Sequence, residues 1–304
     1  MPSPVYINSR NPIPVQAERM AALEDRLARI DRQVATGDRL TDPSDDPAGA
    51  NRAAALARQD ARLEADNKAI QRAAGRLASA ETAIKSATDA LMRARDLALS
   101  ASNGTISPEG LAATLAEVAV LQTQLLDSAN ARDESGRYIF AGSRGGAAAY
   151  ALDANGSAIW QGLDSGSGAE AAGIQGLAPP AAPKLFGDDA NGAFAQLQAL
   201  NAALREPDPT TRQQALSAVL EGLEAASNRL IDGRSAMGAN LARLEGEEKR
   251  IADARVAIAE SLADVRGVDL TAAFVELNAL KLSLSAAQGS FARIYEGSLF
   301  DRLG

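Results

Sequence analysis

Towards one end of the chain Leu270, Ala273, Leu277, Leu280, Leu284, Ala287, Phe291 and Ile294 follow one another at intervals of 3, 4, 3, 4, 3, 4 and 3. That spacing puts every one of them on a single edge of an α-helix, and an apolar edge of that length must be covered by another helix. The same alternation occurs near the other end, in Met20, Leu23, Leu27, Ile30 and Val34. Leu56, Leu63, Ile70, Leu77, Ile84 and Leu91 recur every seven residues, with Ala73, Ala80, Ala87 and Ala94 filling the position three later. From Asn51 to Ser102 this predicts a rod of about 78 Å at a rise of 1.5 Å per residue, its alanines allowing a second helix to approach closely. Asn103 and Gly104 should end it, and Ser107, Pro108 and Glu109 read as N-cap, N1 and N2 of a return helix carried by Leu111, Leu115, Val118, Leu121 and Leu125. From about Thr210 the periodicity resumes: Met237, Leu241, Leu244, Ile251, Ile258, Leu262 and Val265 share a seam that also includes Glu248 and Arg255. Gly267 should break that helix and Asp269 cap the last one.

Between the first helix and the rod lies TDPSDDPAGA, residues 41–50. A residue before proline is pushed out of the α region, so Asp42-Pro43 and Asp46-Pro47 force the chain to leave its helix and begin another. Asp46 is placed as N-cap with Pro47 at N1. The corner Pro43, Ser44, Asp45, Asp46 and Pro47 is therefore expected to be rigid, and as a secondary role a subunit contact. Adjacent acids do not converge on one point, so Asp45 and Asp46 read as cap and turn rather than a metal or acid–base pair.

From about Arg132 to Pro209 the chain turns rich in Gly, Ala, Ser and Pro. YALD and SAIW flank Asn155-Gly156, a hairpin turn signal, and Tyr150 and Trp160 are expected to pack in a small core. Gly166-Ser167-Gly168 lacks the third glycine and the lysine of a phosphate loop and reads as a surface loop. The fold expected is mainly α: a long antiparallel coiled-coil core built from N- and C-terminal segments, with a small β-containing central domain inserted. The divisions are an N-terminal axial helix segment at 1–44, disordered in the monomer; a long helical hairpin at 45–132; a central β and loop surface module at 133–209; a C-terminal core helix region at 210–267; and a C-terminal axial helix at 268–304. An isolated first helix of about 15 residues should fray. The terminal segments are expected to fold by coiling together, with neighbouring subunits covering them.

The chain has no Cys and no His, which removes disulfides, thiol nucleophiles, Ser/His/Asp triads and the usual zinc ligand sets. No enzyme and no cofactor are expected. A net charge of −8 and an aromatic content of 4% argue against nucleic acid, which asks for a basic surface and stacking rings. No run of about 20 apolar residues is apparent and the N-terminus lacks the apolar stretch of a cleaved signal peptide, so no membrane partner is expected.

Thr36-Gly37-Asp38-Arg39-Leu40 followed by Pro43-Ser44-Asp45-Asp46-Pro47 resembles the corner motif of the flagellin family. Three further stretches agree: RARDLALSASNGTIS from Arg93, ANARDESGRYIFAGS from Ala129, and Asp269 to Leu303. The resemblance implies an axial component of the bacterial flagellum, a structural motility protein exported by the type III apparatus to the outside of the cell without a cleaved signal peptide. Pro47 after the Asp pair, the GRYIFAG segment and the ending SLFDRL resemble those members that join hook to filament. The assembly interface it implies comprises Met20, Leu23, Leu27, Ile30, Val34, Leu270, Leu277, Leu280, Leu284, Phe291 and Ile294. Partners implied are further copies of the chain in a ring or helical layer, hook-associated protein 1, flagellin and a flagellar export chaperone. The alternatives are a minor flagellin of the filament or a free-standing coiled-coil interaction or adhesin module.

Overall fold

The computed structural model describes residues 12–40, 42–44, 46–103, 107–153, 157–163, 177–187 and 191–303, without the side chains of 12–14, 103 and 294–303. The described residues form seven helices and one hairpin in the order α1 (Pro12–Thr36), α2 (Pro47–Asn103), α3 (Pro108–Ala129), β1 (Tyr150–Leu152), β2 (Ala158–Trp160), α4 (Ala182–Phe186), α5 (Ala193–Arg205), α6 (Pro209–Arg266) and α7 (Leu270–Leu303). They divide into two compact units: Leu63–Ala252, and the segment up to Arg62 together with Asp253 onward.

The Leu63–Ala252 unit is organised by α2. Its heptad residues Ile70, Leu77, Ile84 and Leu91 are buried, as are Ala80, Ala87 and Ala94 three positions on. They meet Val118, Leu121 and Leu125 of α3 and Leu216, Leu223, Leu230, Met237 and Leu244 of α6 in one hydrophobic core. Ser107 adopts an extended conformation and its side chain accepts from Gly110 N at 3.1 Å, with Pro108 at N1, so α3 starts where its cap sequence places it. Arg93 of α2 donates to Glu117 of α3 at 2.6 Å and Gln124 of α3 to Ser86 of α2 at 3.3 Å. Partners that descend on one helix as they ascend on the other make the pair antiparallel. The same descent marks α2 and α6, with Arg234 donating to Glu81 at 2.9 Å and Gln71 to Glu248 at 3.2 Å.

The inserted region departs from the expectation of strands and loops alone: α4 and α5 lie inside it. The hairpin is antiparallel, Tyr150 facing Trp160 and Leu152 facing Ala158; Asn155-Gly156 and Gly166-Ser167-Gly168 lie outside the described residues, as do Gly104 and Asp45. Nor does the region face wholly outward. Tyr150 is 2% exposed, its ring 4.8 Å from Phe194 and 6.2 Å from Phe186, and its hydroxyl donates to the Gly187 carbonyl at 3.0 Å. Asn130, at the end of α3, brackets Tyr150 by donating to its carbonyl and accepting from its amide, both at 2.9 Å. The preceding ARDESGRYIF stretch is a turn in which Asp133 accepts from the amides of Ser135 and Arg137, each at 3.0 Å. Arg76 of α2 donates to the Ile139 carbonyl at 3.1 Å, which pins that turn to the helical core.

In the other unit α1 packs antiparallel on α7. α1 is longer than its seam predicts, because Pro12 and Pro14 sit in its first turn, where missing N–H groups cost nothing. Leu270–Arg293 is long and apolar enough, by length and composition, to cross a membrane. That corrects the expectation that no such run exists, and its physical source is the uninterrupted seam already described.

Candidate assembly interface and corner loop

The residues assigned to assembly are distributed unevenly over the α1–α7 pair. Ile30, Leu277 and Leu280 are buried against one another, with Leu23, Leu27 and Val34 packed on them. Met20, Leu284 and Phe291 are half-buried. Leu270 is 47% exposed: it occupies the first position of α7, and a helical side chain leans towards the N-terminus, here past the start of the seam. Ile294 lies in α7 with its side chain outside the described part. Ala273, at a small seam position, is 5% exposed and belongs with the buried set. Beside the seam Arg26 forks onto Glu276 Oε1, Nη2 at 2.6 Å and Nε at 3.0 Å. Other apolar residues of α7 lie open in the single chain: Phe274, Val275 and Leu282 are 49%, 67% and 74% exposed.

The corner holds more chemistry than its prolines suggested. Asp46 accepts from Gly49 N at 2.9 Å, capping α2 as its sequence position predicts. That hydrogen bond, and then the one from Arg39, hold the Asp46 carboxyl below the usual carboxylate range. Pro43 and Ser44 are exposed. Arg39 Nη2 reaches Asp46 Oδ2 at 3.2 Å and the Val265 carbonyl of α6 at 3.1 Å. Its amide donates to the Arg266 carbonyl at 2.6 Å, and Val268 N donates to Gly37 O at 3.0 Å, an antiparallel bridge pairing Asp38 with Gly267. Gly37 takes a φ of 76°, a left-handed turn out of α1 that favours glycine. Across the corner Asp269 caps α7, accepting from Thr271 N at 2.9 Å and Ala272 N at 3.1 Å. Sequence reading found the caps at 46 and 269 and placed Arg39 in the corner motif, but not its distant partners, which are backbone carbonyls and leave no trace in side-chain pattern.

Among the described residues no group of three or more His, Cys, Asp or Glu is placed to hold a metal ion.

The family model for the bacterial flagellin N-terminal helical region matches residues 7–144, and that for the C-terminal helical region matches residues 220–298. The chain belongs to the flagellin family. That membership makes it a structural component of the bacterial flagellum. Flagellar hook-associated protein 3 of Salmonella typhimurium is 28% identical over 229 residues, 69% of this chain and 72% of the relative. Its namesake in Escherichia coli is 36% identical over 110 residues, 36% of this chain and 35% of that protein. Among solved structures, a putative flagellar hook-associated protein from Vibrio parahaemolyticus superposes with a TM-score of 0.67 at 21% identity, covering 73% of this chain and all of the other. Xanthomonas campestris FlgL gives 0.60 at 18% identity, covering 68% and 99%. The mainly helical fold is thus shared with these solved structures.

Proposed function

We propose that the protein joins the flagellar hook to the filament, as a non-catalytic layer of identical copies held together through α1 and α7. The observation that carries this reading is the state of α7. Ile30, Ala273, Leu277 and Leu280 of the pair are buried within one chain, while Phe274, Val275 and Leu282 stay largely exposed, and large apolar side chains left in water mark a surface that association covers. Relatives named hook-associated protein 3 support placing that association at the hook's end rather than along the filament. In this reading hook-associated protein 1 lies on one side and flagellin on the other, an export chaperone covers the terminal helices before secretion, and export to the cell exterior uses no cleaved signal peptide. Residues 1–44 and 268–304 are the axial segments, 45–132 and 210–267 the supporting core, 133–209 the surface region, and Pro43 to Pro47 a contact between copies.

The test is complementation of a strain lacking its junction protein, with the product located by immunogold microscopy. The wild-type gene should restore filaments and place label at the hook tip only; Leu277→Asp with Leu280→Asp should restore neither. Label along the whole filament would replace this reading with that of a filament subunit, and normal filaments from the double variant would remove the terminal helices from assembly.

A further inference from the structure

A helix leaves its last carbonyls and its first amides without partners inside the helix, and at the corners of this chain one residue supplies both needs. The Arg39 amide donates to Arg266 O at 2.6 Å and its guanidinium to Val265 O at 3.1 Å, two of the terminal carbonyls of α6. The same guanidinium donates to Asp46 Oδ2 at 3.2 Å, while the other oxygen of Asp46 caps α2 through Gly49 N at 2.9 Å. Gln33 of α1 donates to the Arg39 carbonyl at 2.8 Å, so the end of α1 is tied in as well. Two glycines beside these groups have no room for a side chain, although Arg39 and Asp46 keep 47% and 33% of their side-chain surface in water. A Cβ on Gly49 would stand 2.5 Å from Asp46 Oδ2, and one on Gly267 would stand 2.5 Å from the Ala263 carbonyl.

We infer that Arg39 is a positioning residue that makes the α1–α2 corner and the α6–α7 corner a single joint, closed within one chain and independent of the α1–α7 seam. The planar guanidinium suits the task because it directs several N–H groups at once to a carboxylate and a carbonyl, which a lysine ammonium does only by choosing between them. The joint sets the direction in which α1 meets the start of α2 and α7 meets the end of α6 before any second copy arrives, and it depends on no particular place in the flagellum.

Hydrogen exchange on the full-length monomer, with peptides resolving Gly49, Val268, the seam and residues 77–98, tests this. In Leu280→Asp the seam amides at 20–34 and 273–287 should exchange faster while Gly49 and Val268 stay within about twofold of wild type. In Arg39→Ala, Gly49 and Val268 should both accelerate, by roughly tenfold for the loss of charge-assisted hydrogen bonds, with residues 77–98 unchanged. Acceleration at one corner alone, or opening of both corners in Leu280→Asp, overturns the inference. Should Arg39→Ala also unprotect 77–98, Arg39→Lys decides: protection lost at Val268 and kept at Gly49 supports the joint, and wild-type protection at both overturns it. None of these readouts involves filament formation, so a failed complementation and a failed joint are separate results.

Discussion

Arg255 of α6 sets its Nε 2.7 Å from Asp60 Oδ1 of α2, and its Nη2 3.3 Å from the second carboxylate oxygen. Arg255 stands on the heptad seam, where an apolar residue would be the default, and the structure shows why a charge is tolerated: its partner rises from the facing helix at the same level, and both side chains keep about a third of their surface in water. An ion pair placed in a seam specifies register, because sliding either helix by a turn would leave both charges unmatched.

The pair has a pH signature. The hydrogen bond from Arg255 lowers the Asp60 carboxyl below its ordinary 3.8. A carboxyl acidified by folding stabilises the fold above the unfolded value and stops doing so as pH falls through the folded one. Thermal stability should therefore drop on acidification below about pH 4, and Asp60→Asn should shallow that slope by lowering stability at neutral pH towards its acid value. An identical acid slope in the variant would assign the transition to other carboxylates.

Breaking the seam between α1 and α7 should free the ends without touching the core. Leu280 is 6% exposed against Ile30 and Leu277, and a carboxylate there should cost about 3 kcal/mol or more. Limited trypsin digestion of Leu280→Asp should cut quickly at Arg19, Arg26, Lys281 and Arg293 and leave a resistant fragment spanning 63–252. Equal resistance of the wild-type and variant ends would show that the seam does not hold them.

Tyr150→Phe removes a hydroxyl whose acceptor, the Gly187 carbonyl, is buried at 3.0 Å. Leaving that carbonyl without its donor should cost about 1–3 kcal/mol, read in urea unfolding as a lower midpoint with unchanged slope. Asn130→Ala, which removes the bracket on the Tyr150 backbone, should fall in the same range. Wild-type stability in both would mean that the hairpin is not anchored at Tyr150.

Gly233 of α6 allows Leu185 of α4 to sit against the helix backbone. A Cβ on Gly233 would meet Leu185 Cδ2 at 2.2 Å, and Leu185 is 1% exposed in the core, so its side chain must shift within a packed interior. By scanning calorimetry Gly233→Ala should destabilise by about 1–3 kcal/mol despite alanine's better helix propensity, whereas Gly246→Ala, where nothing lies within 4 Å, should stabilise slightly.

What was legible in the sequence follows from how local each feature is. Ile70, Leu77, Ile84 and Leu91 announced α2 because burial every seven residues is written in one helix alone, and Ser107-Pro108 and Asp269 announced helix starts because a cap bonds amides two or three residues away. α5 was missed although Phe194, Leu197, Leu200 and Leu204 have helical spacing; the surrounding Gly, Ala, Ser and Pro dominated the reading. Arg39 was read as part of the corner motif, but its acceptor at Val265 could not be found, since it lies 226 residues on and is a backbone atom that any residue supplies. Leu270 shows the reverse: spacing placed it on the seam, and its position at the helix start left it exposed.

Trp160 is the only tryptophan and lies in β2, packed on the Leu63–Ala252 core. Its fluorescence therefore reports one unit of the molecule, whereas far-ultraviolet circular dichroism sums over all the helices, α1 and α7 among them. A melt followed by emission would trace a clean single transition even after the terminal pair had separated. Divergence between the two optical curves, with helicity falling first, would time the release of the ends against the unfolding of the core without any label being attached.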